Sequence, residues 1–307
     1  MRTFAIVNQK GGCGKTTTSI NVAAVYARRG FRTLLVDMDP QAHCAAGLGV
    51  PEEQIELSIG DALTATHDST MEKDKYLWEI TPNLHLVPST MMLSAIEAPG
   101  GALQNMPDKD RRLESLLQSW DKAFDRCVID CPPNIGLLTY NSLRASTEAL
   151  IPVETGFFSL RGARRQRKTI EALIARIGKP IDCRIIPSIH RPSPLARTLL
   201  LRLQESFGSE VSPTVIRDHE TLREAASFGQ PVIDFAPGCE AEHDFEALVG
   251  WLEEIYPAPN PIVEVAEGTG GRAAELARRV NAFSAKSEDS PIIGRINPEQ
   301  ELDGTKF

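Results

Sequence analysis

Long apolar runs are missing from this sequence. None of its hydrophobic stretches approaches the roughly 20 residues that a membrane-spanning helix requires. A strand pattern already begins at Phe4, which leaves no room for a signal peptide before it. Internal repeats are absent as well. The hydrophobic share of 42% and the charged share of 24% are ordinary for a globular chain. Since neither a membrane span nor a signal peptide is predicted, we expect a cytoplasmic protein.

The cysteines lack the spacing of a metal site. All six are scattered, at positions 13, 44, 127, 131, 183 and 239. Cys127 and Cys131 are close in sequence, but they fall on a predicted strand and on the loop that follows it. This pattern favours reduced thiols in an intracellular protein. A reactive thiol stays open only for Cys13, because it lies in a glycine-rich loop.

The formal net charge of −8 would by itself argue against a nucleic-acid partner. The charge is unevenly distributed, however. From Arg161 to Arg202 the chain has eleven Lys and Arg residues and two acids, a balance of +9, which leaves −17 for the remainder. A basic stretch within an acidic protein is the electrostatic footprint of an anionic partner. Such a stretch can also be a solvated face, and the charge alone does not decide between the two.

A glycine-rich loop, Gln9–Gly14, stands between a predicted strand and a predicted helix. The strand is the short apolar run Phe4–Val7, and from Thr16 onward apolar residues recur at helical spacing. Glycines lack a Cβ, so their backbone can approach a ligand, and N–H groups at a helix N-terminus attract a phosphate. Lys15 can contact the β- and γ-phosphates of a nucleotide, and the Thr16 hydroxyl can bind Mg²⁺.

The loop departs from the usual phosphate-binding pattern, G-x-x-x-x-G-K-(S/T). Gln9 stands where that pattern asks for glycine, and a second lysine, Lys10, precedes the double glycine. The string from Lys10 to Thr16 resembles the deviant Walker A motif, KGGxGK(S/T), of the ParA/MinD family of P-loop ATPases. The resemblance implies that Lys10 reaches the phosphates of a second subunit in an ATP-sandwich dimer, and that Lys10 and Lys15 are catalytic. The nucleotide-binding residues that it implies here are Gly11, Gly12, Cys13, Gly14, Lys15, Thr16 and Thr17.

Carboxylates follow two of the predicted strands. The strand Thr33–Val36 runs into Asp37-Met-Asp-Pro-Gln41, and Cys127–Asp130 precedes Cys131-Pro-Pro133. Carboxylates at the C-terminal ends of strands in an open α/β sheet face the ligand crevice, where an aspartate can join the Mg²⁺ shell. Both segments match the family's DxDPQ and DxPP motifs. The resemblance implies that Asp39 positions the attacking water and that Thr16, Asp37 and Asp130 form the metal site.

The remaining pattern alternates strands and helices. Such alternation predicts an α/β fold with a doubly wound, mostly parallel sheet flanked by helices. The family resemblance implies that this fold is a P-loop NTPase of the deviant Walker A type. Predicted strands lie at 84–88, 149–153, 184–189 and 213–216, and predicted helices at 58–63, 91–97, 111–120, 141–148, 191–207 and 244–256. We assign residues 1–257 to the ATPase domain. Residues 258–307 are expected to form a linker, a short helix from Arg272 to Phe283 and a disordered tail.

The resemblance extends to the segment Thr221–Pro231, which is similar to a segment of ParA-type proteins. Many DNA-binding relatives carry an arginine where this chain has Thr221, and a Pro-Arg pair near Ile216. Arg217 and Arg223 lie close enough in sequence to substitute, and we add Arg217 to the expected nucleotide-binding set. The candidate DNA-binding residues are Arg164, Arg165, Arg167, Lys168, Arg191, Arg197, Arg202 and Arg223.

The family resemblance thus predicts a ParA-like partition ATPase. ATP and Mg²⁺ would be its cofactors, and its partners would be a second copy of the chain, non-specific DNA on the nucleoid and a ParB-like stimulating protein. ATP is favoured over GTP because the guanine signature N-K-x-D is absent. Two alternatives stay open: a MinD-like membrane-associated ATPase that uses the helix near Leu276, and a nucleotide-gated scaffold for another machine. Pro40-Gln41 argues against the first, so a membrane partner is not expected.

Overall fold

The structure is a computed structural model, and it describes residues 1–65, 73–156 and 159–256. Seven strands in these ranges form one sheet, in the order β3-β4-β2-β5-β1-β6-β7. All neighbouring strands are parallel except β3 and β4. The strands are β1 (Arg2–Ile6), β2 (Thr33–Asp37), β3 (Trp78–Thr81), β4 (Leu84–Val87), β5 (Arg126–Asp130), β6 (Glu148–Glu154) and β7 (Asp182–Ser188).

Helices cover both faces of the sheet. The described α-helices are α1 (Lys15–Arg28), α2 (His43–Gly47), α3 (Ile59–Thr64), α4 (Met92–Glu97), α5 (Arg112–Ser119), α6 (Leu137–Ala145), α7 (Ser159–Ile177), α8 (Pro194–Phe207), α9 (Glu220–Ser227), α10 (Val232–Phe235) and α11 (Glu240–Ile255). Together with the mostly parallel sheet, they confirm the predicted doubly wound α/β fold. In the described ranges, no helix combines the length and the apolar character needed to cross a membrane.

The central strand β1 shows why the sequence gives this layering. Phe4 and Ile6 point to one face, where they pack with α1, α10 and α11, and Ala5 points to the other face, against α3, α5, α6 and α7. Because both faces are covered, the strand reads as a continuous apolar run rather than as an alternating one. This burial anchors the residues that follow β1, and those residues are the glycine-rich loop.

The capping of α3 accounts for the start of the helix that the sequence predicts from residue 58. The backbone N–H and the hydroxyl of Ser58 both donate to the Asp61 carboxylate, at 2.8 and 2.6 Å, and the reciprocal bond from the first turn completes a capping box. The helix therefore begins where the sequence placed it. Its C-terminus is held by the buried side chain of Arg112, whose Nε donates to the carbonyl of Leu63.

Two element assignments were wrong, and one strand was missed. The predicted strand at 213–216 is absent: the chain makes only single bridges to the β7 region, at Val211 and Arg217, because Pro213 has no N–H to donate to a ladder. The helix predicted at 141–148 begins earlier and ends at Ala145, and Glu148 instead opens β6. The antiparallel edge strand β3 was missed, because its sequence is short and mixed.

The predicted domain division stays a prediction. Helix α11 ends at Ile255, and the described ranges end at residue 256. The predicted linker, the helix from Arg272 to Phe283 and the tail lie outside them. Residues 66–72 and 157–158 lie outside them as well.

Candidate nucleotide and metal site

The glycine-rich loop joins β1 to α1 through left-handed backbone. Gly12 and Gly14 have φ values of +67° and +86°, and Gly14 is the N-cap of α1. Glycine adopts this conformation without the steric cost that a Cβ would bring. A Cβ added at Gly11 or Gly12 would meet no atom within 4 Å. The loop therefore faces open space, with the N-terminus of a 14-residue helix directed at it.

A cavity of about 630 Å³ lies in front of this loop. Its walls come from the loop and α1, from the segment after β2, from the end of β6 and from the chain after β7. Among its lining residues are Gly11, Gly12, Gly14, Lys15, Thr16, Thr17, Asp39, Glu154, Arg217 and His219. The cavity lies at the C-terminal ends of parallel strands, where open α/β sheets bind their ligands.

Two fully buried carboxylates, Asp37 and Asp130, lie below the loop. Thr16 Oγ1 donates to Asp130 Oδ2 at 2.6 Å, and Ser19 Oγ donates to Asp130 Oδ1 at 2.9 Å. The backbone N–H groups of Asp39 and Cys44 donate to the two oxygens of Asp37, at 2.9 and 3.0 Å. Strands β2 and β5 pair so that Asp37 and Asp130 stand opposite each other. The predicted metal residues are therefore neighbours.

The burial of Asp37 and Asp130 favours the binding of a cation next to them. Burial raises the pKa of Asp37 well above its ordinary value, and the nearby Asp130 raises it further. Burial also raises the pKa of Asp130, to about 6, although the hydrogen bonds from Thr16 and Ser19 lower it. Neither carboxylate has a basic side chain in an ion pair with it among the described residues. Buried charge without a counterion is costly, and a bound cation removes that cost.

The donor set fits Mg²⁺. Thr16, Asp37 and Asp130 offer the hard oxygen ligands that this ion prefers, and the adjacent cavity leaves room for water or phosphate oxygens. Ligand atoms of Asp37, Asp130 and Cys44 lie within 4.8 Å of one another. Cys44 Sγ is 3.5 Å from Asp130 Oδ2, but a thiol is a soft ligand and a poor one for Mg²⁺.

The two loop lysines have different surroundings. Lys15 is 8% exposed, and its Nζ donates to the carbonyl of Lys10 at 3.4 Å. The Lys10 side chain is 61% exposed and forms an ion pair with Glu154 at the end of β6. Lys15 is thus directed inward over its own loop, whereas Lys10 stands at the rim.

Comparison with known proteins identifies the family. A family model described as an AAA domain matches residues 1–183. The sporulation initiation inhibitor protein Soj of Bacillus subtilis is 33% identical over 238 residues, which cover 76% of this chain and 91% of Soj. The chromosome partitioning protein ParA of Myxococcus xanthus is 33% identical over 245 residues, covering 78% and 84%.

The chain belongs to the ParA/MinD family of P-loop ATPases. Solved structures share its fold. A putative plasmid partition protein from Borrelia burgdorferi bound to AMPPNP has a TM-score of 0.70 at 20% identity, covering 83% of this chain and 99% of that one. Cobyrinic acid a,c-diamide synthase from Mycobacterium smegmatis, with bound ADP and magnesium, has a TM-score of 0.70 at 24% identity, covering 85% and 97%.

The segment after β2 holds Asp39 in place, as the ParA/MinD DxDPQ motif suggests. Asp39 is 6% exposed, lines the cavity and accepts a hydrogen bond from the Gln41 N–H at 3.0 Å. Ala42 then adopts a left-handed φ of 53° before α2 begins at His43. A non-glycine residue in this region is strained by about 1 kcal/mol or more. The strain lies between Asp39 and His43, both of which line the cavity.

The loop after α2 contacts the loop after α9. Gly49 and Gly229 both have positive φ, of +66° and +67°, and a Cβ on Gly229 would lie 2.6 Å from Gly49 Cα. The two backbones therefore pack directly on each other. This contact joins the segment that carries Asp39 to the loop after α9.

Arg217 is placed at the cavity but is engaged elsewhere. Its guanidinium forms a forked pair with Asp244, at 2.8 to 3.1 Å, and a further ion pair with Glu240. His219 contacts the same Asp244 carboxylate through Nε2 at 3.2 Å. Arg217 can thus shape the wall of the nucleotide site, as expected from its position, while its charge is compensated by α11.

The predicted DNA-binding side chains divide into two sets. Arg167 pairs with Glu210 and Glu171, and Arg191 and Arg223 both pair with Asp218. Arg164 donates to the hydroxyl of Ser206 on α8. Within the described ranges, four of these predicted residues form neither an ion pair nor a side-chain hydrogen bond: Arg165, Lys168, Arg197 and Arg202. These four are all exposed, and we call them the unpaired basic set.

Sequence reasoning missed several residues of the site. Ser19 and Cys44 contact Asp130, His43 lines the cavity, and Glu154 pairs with Lys10. A polar residue on the buried face of α1 could have identified Ser19. The suggestion of a reactive Cys13 was wrong, because this residue is fully buried and burial raises its pKa. Cys13 contributes its carbonyl, which accepts from Ser188 Oγ at 3.0 Å.

Proposed function

We propose that this chain is a ParA-type partition ATPase that binds ATP with Mg²⁺ between two copies of itself. Lys15, Thr16 and the loop N–H groups hold the triphosphate, and Thr16, Asp37 and Asp130 hold the ion. Mg²⁺ would supply charge neutralisation on the β- and γ-phosphates. Asp39, at the edge of the same cavity, orients the attacking water.

One observation supports the proposed dimer. The loop has an inward lysine and an outward one: Lys15 is nearly buried, whereas the Lys10 side chain is 61% exposed at the rim. Lys15 alone suffices for the nucleotide of its own chain. A second, exposed cation at the rim is placed to meet a phosphate presented by another copy. Both lysines belong to the loop motif that the family shares.

The DNA-binding part of the proposal rests on the unpaired basic set. Arg165 and Lys168 lie on α7, and Arg197 and Arg202 lie on α8. Exposed cations without acidic partners can neutralise phosphates, and dimer formation doubles their number. Hydrolysis then separates the subunits and weakens DNA binding. We further propose that a ParB-like protein stimulates this slow hydrolysis, as the similarity to Soj and ParA suggests.

The test is binding to non-specific duplex DNA with ATP, ADP or no nucleotide, at two salt concentrations. The proposal expects ATP-dependent, salt-sensitive binding that Lys15→Ala abolishes and Arg197→Ala weakens. Arg111→Ala, an exposed arginine before α5, removes the same charge outside the basic stretch and should bind as the native chain does. No DNA binding with any nucleotide would contradict the proposal. Binding to anionic liposomes instead would favour the MinD-like alternative.

A further inference from the structure

The pairing of Lys10 with Glu154 restrains the outward lysine within its own chain. The Lys10 ammonium forms an ion pair with the Glu154 carboxylate. The Lys10 backbone is held too, because its N–H donates to Asn8 Oδ1 at 2.9 Å, and Asn8 Nδ2 donates to the Pro152 carbonyl at 2.6 Å. Both contacts lead to β6. The loop thus holds Lys10 against its own sheet by a backbone link and a charge link.

Glu154 also faces the nucleotide cavity. It lines the same cavity as the loop glycines and Lys15, and its side chain is 31% exposed. A carboxylate at this position is repelled by a bound triphosphate, and the triphosphate competes with it for the Lys10 ammonium. Lys10 cannot keep its contact with Glu154 and also reach the phosphate of a second chain. The ion pair must therefore break before Lys10 can cross an interface.

We propose that Glu154 is a positioning residue for Lys10, which it holds in its own chain until the charge of a bound triphosphate releases it. The inference rests on the proposed ATP-sandwich dimer, in which Lys10 crosses to the second copy. It adds a free-energy cost to dimer formation, because each copy must break its Lys10–Glu154 ion pair before the dimer can form. This cost helps to keep the nucleotide-free chain monomeric. Two pairs break for each dimer that forms.

The experiment compares native protein with Glu154→Gln, which keeps the shape of the side chain and removes its charge. Dimer formation is followed by light scattering as ATP and Mg²⁺ are added. Since an exposed ion pair shifts an equilibrium by roughly 1.4- to 5-fold and two are lost per dimer, the variant should favour the dimer by roughly 2- to 30-fold. The difference should shrink as salt is raised, because the pair is partly exposed. Glu154→Asp keeps the negative charge and should restore most of the native resistance to dimer formation.

Two further measurements separate this role from a merely structural one. In nucleotide-free protein, acetylation of Lys10, read by mass spectrometry, should be faster in Glu154→Gln than in the native chain. Glu53→Gln removes a charge from the exposed turn at 52–54 and should change neither dimerisation nor labelling. Equal dimerisation and equal labelling in native and Glu154→Gln protein would overturn the inference and leave the dimer standing. Absence of an ATP-dependent dimer in every variant would overturn the proposed function, and this inference with it.

Discussion

The nucleotide loop and the basic stretch both concentrate charge, yet the fold treats that charge in opposite ways. At the loop, Asp37 and Asp130 are fully buried and have no basic partner in the described ranges. On the basic stretch, Arg167 and Arg191 lie near the surface, each already paired with an acid. Buried carboxylates without a basic partner are typical of a site that binds a cation. Basic side chains that pair with acids of the same chain stabilise the fold. The number of basic residues in the sequence therefore overstates the surface that is available to an anion.

The largest expected effect is at the inward lysine. Lys15→Ala should weaken ATP binding by about 100- to 1,000-fold, because it removes a nearly buried cation that contacts phosphate in the proposed site. Lys168→Ala removes the same charge from the unpaired basic set and should leave nucleotide affinity unchanged. Fluorescent-ATP titration of both variants measures the contrast. A similar loss in the two would mean that general electrostatics, and not the loop geometry, binds the nucleotide.

The two regions should also respond to pH in opposite directions. Burial raises the pKa of Asp130 to about 6, so the native state holds its proton more tightly than the unfolded chain does. Without Mg²⁺, the stability contributed by this proton is present below about pH 4 and is lost as pH rises toward 6, about 3 kcal/mol in all. Hydrogen bonds from Arg223 and Arg191 lower the pKa of Asp218, whose contribution is lost as pH falls.

Urea unfolding between pH 3 and 7 measures this difference, because the contribution of Asp218 is lost only as pH falls below about 4. The native chain without ligand should lose stability relative to Asp130→Asn as pH rises, and Mg²⁺ with nucleotide should restore it most strongly near neutrality. Asp218→Asn should show the opposite trend relative to the native chain. If the Asp130→Asn difference does not change with pH, Asp130 titrates at its ordinary value and the buried pair needs no cation.

The loop after α2, which follows the segment that carries Asp39, packs on the loop after α9. Gly229→Ala should destabilise the fold by about 2–3 kcal/mol, because its Cβ would lie 2.6 Å from Gly49 Cα and its φ is +67°. Gly238→Ala also has a positive φ but meets no atom within 4 Å, so it should cost about 1 kcal/mol. Thermal unfolding of the two variants separates steric overlap from backbone strain.

The smallest expected effect is a change in the salt dependence of DNA binding, which should differ between the unpaired basic set and the arginines that pair with acids. Lys168→Ala should reduce the salt slope of ATP-dependent DNA binding by about one unit per contact, because the slope counts released counterions. Arg167→Gln should change it less, because Glu210 and Glu171 already occupy that guanidinium. Filter binding at four salt concentrations measures both slopes. Equal slopes for the two variants would mean that the paired arginines exchange their acids for phosphate.

Sequence reasoning succeeded where local pattern and chemistry agree. The loop from Lys10 to Thr16, the strand ends at Asp37 and Asp130 and the cap at Ser58 are each encoded within a few consecutive residues. It failed where the outcome depends on distant partners. Nothing near Lys10 indicates that Glu154 pairs with it, and nothing near Arg191 points to Asp218. The strand predicted at 213–216 was wrong, because pairing with an adjacent strand of the sheet, and not local strand propensity, decides whether a strand forms.

The position of β1 in the sheet has a consequence for how the protein is made. Strand β1 leaves the ribosome well before its neighbours, β5 and β6, because both come more than a hundred residues later. Until β5 has been synthesised, β1 lacks a partner on one edge, and until β6 follows, it lacks a partner on the other. Such distant pairing slows folding and prolongs exposure of the nascent chain. We therefore expect newly made chains truncated before Glu148 to engage chaperones.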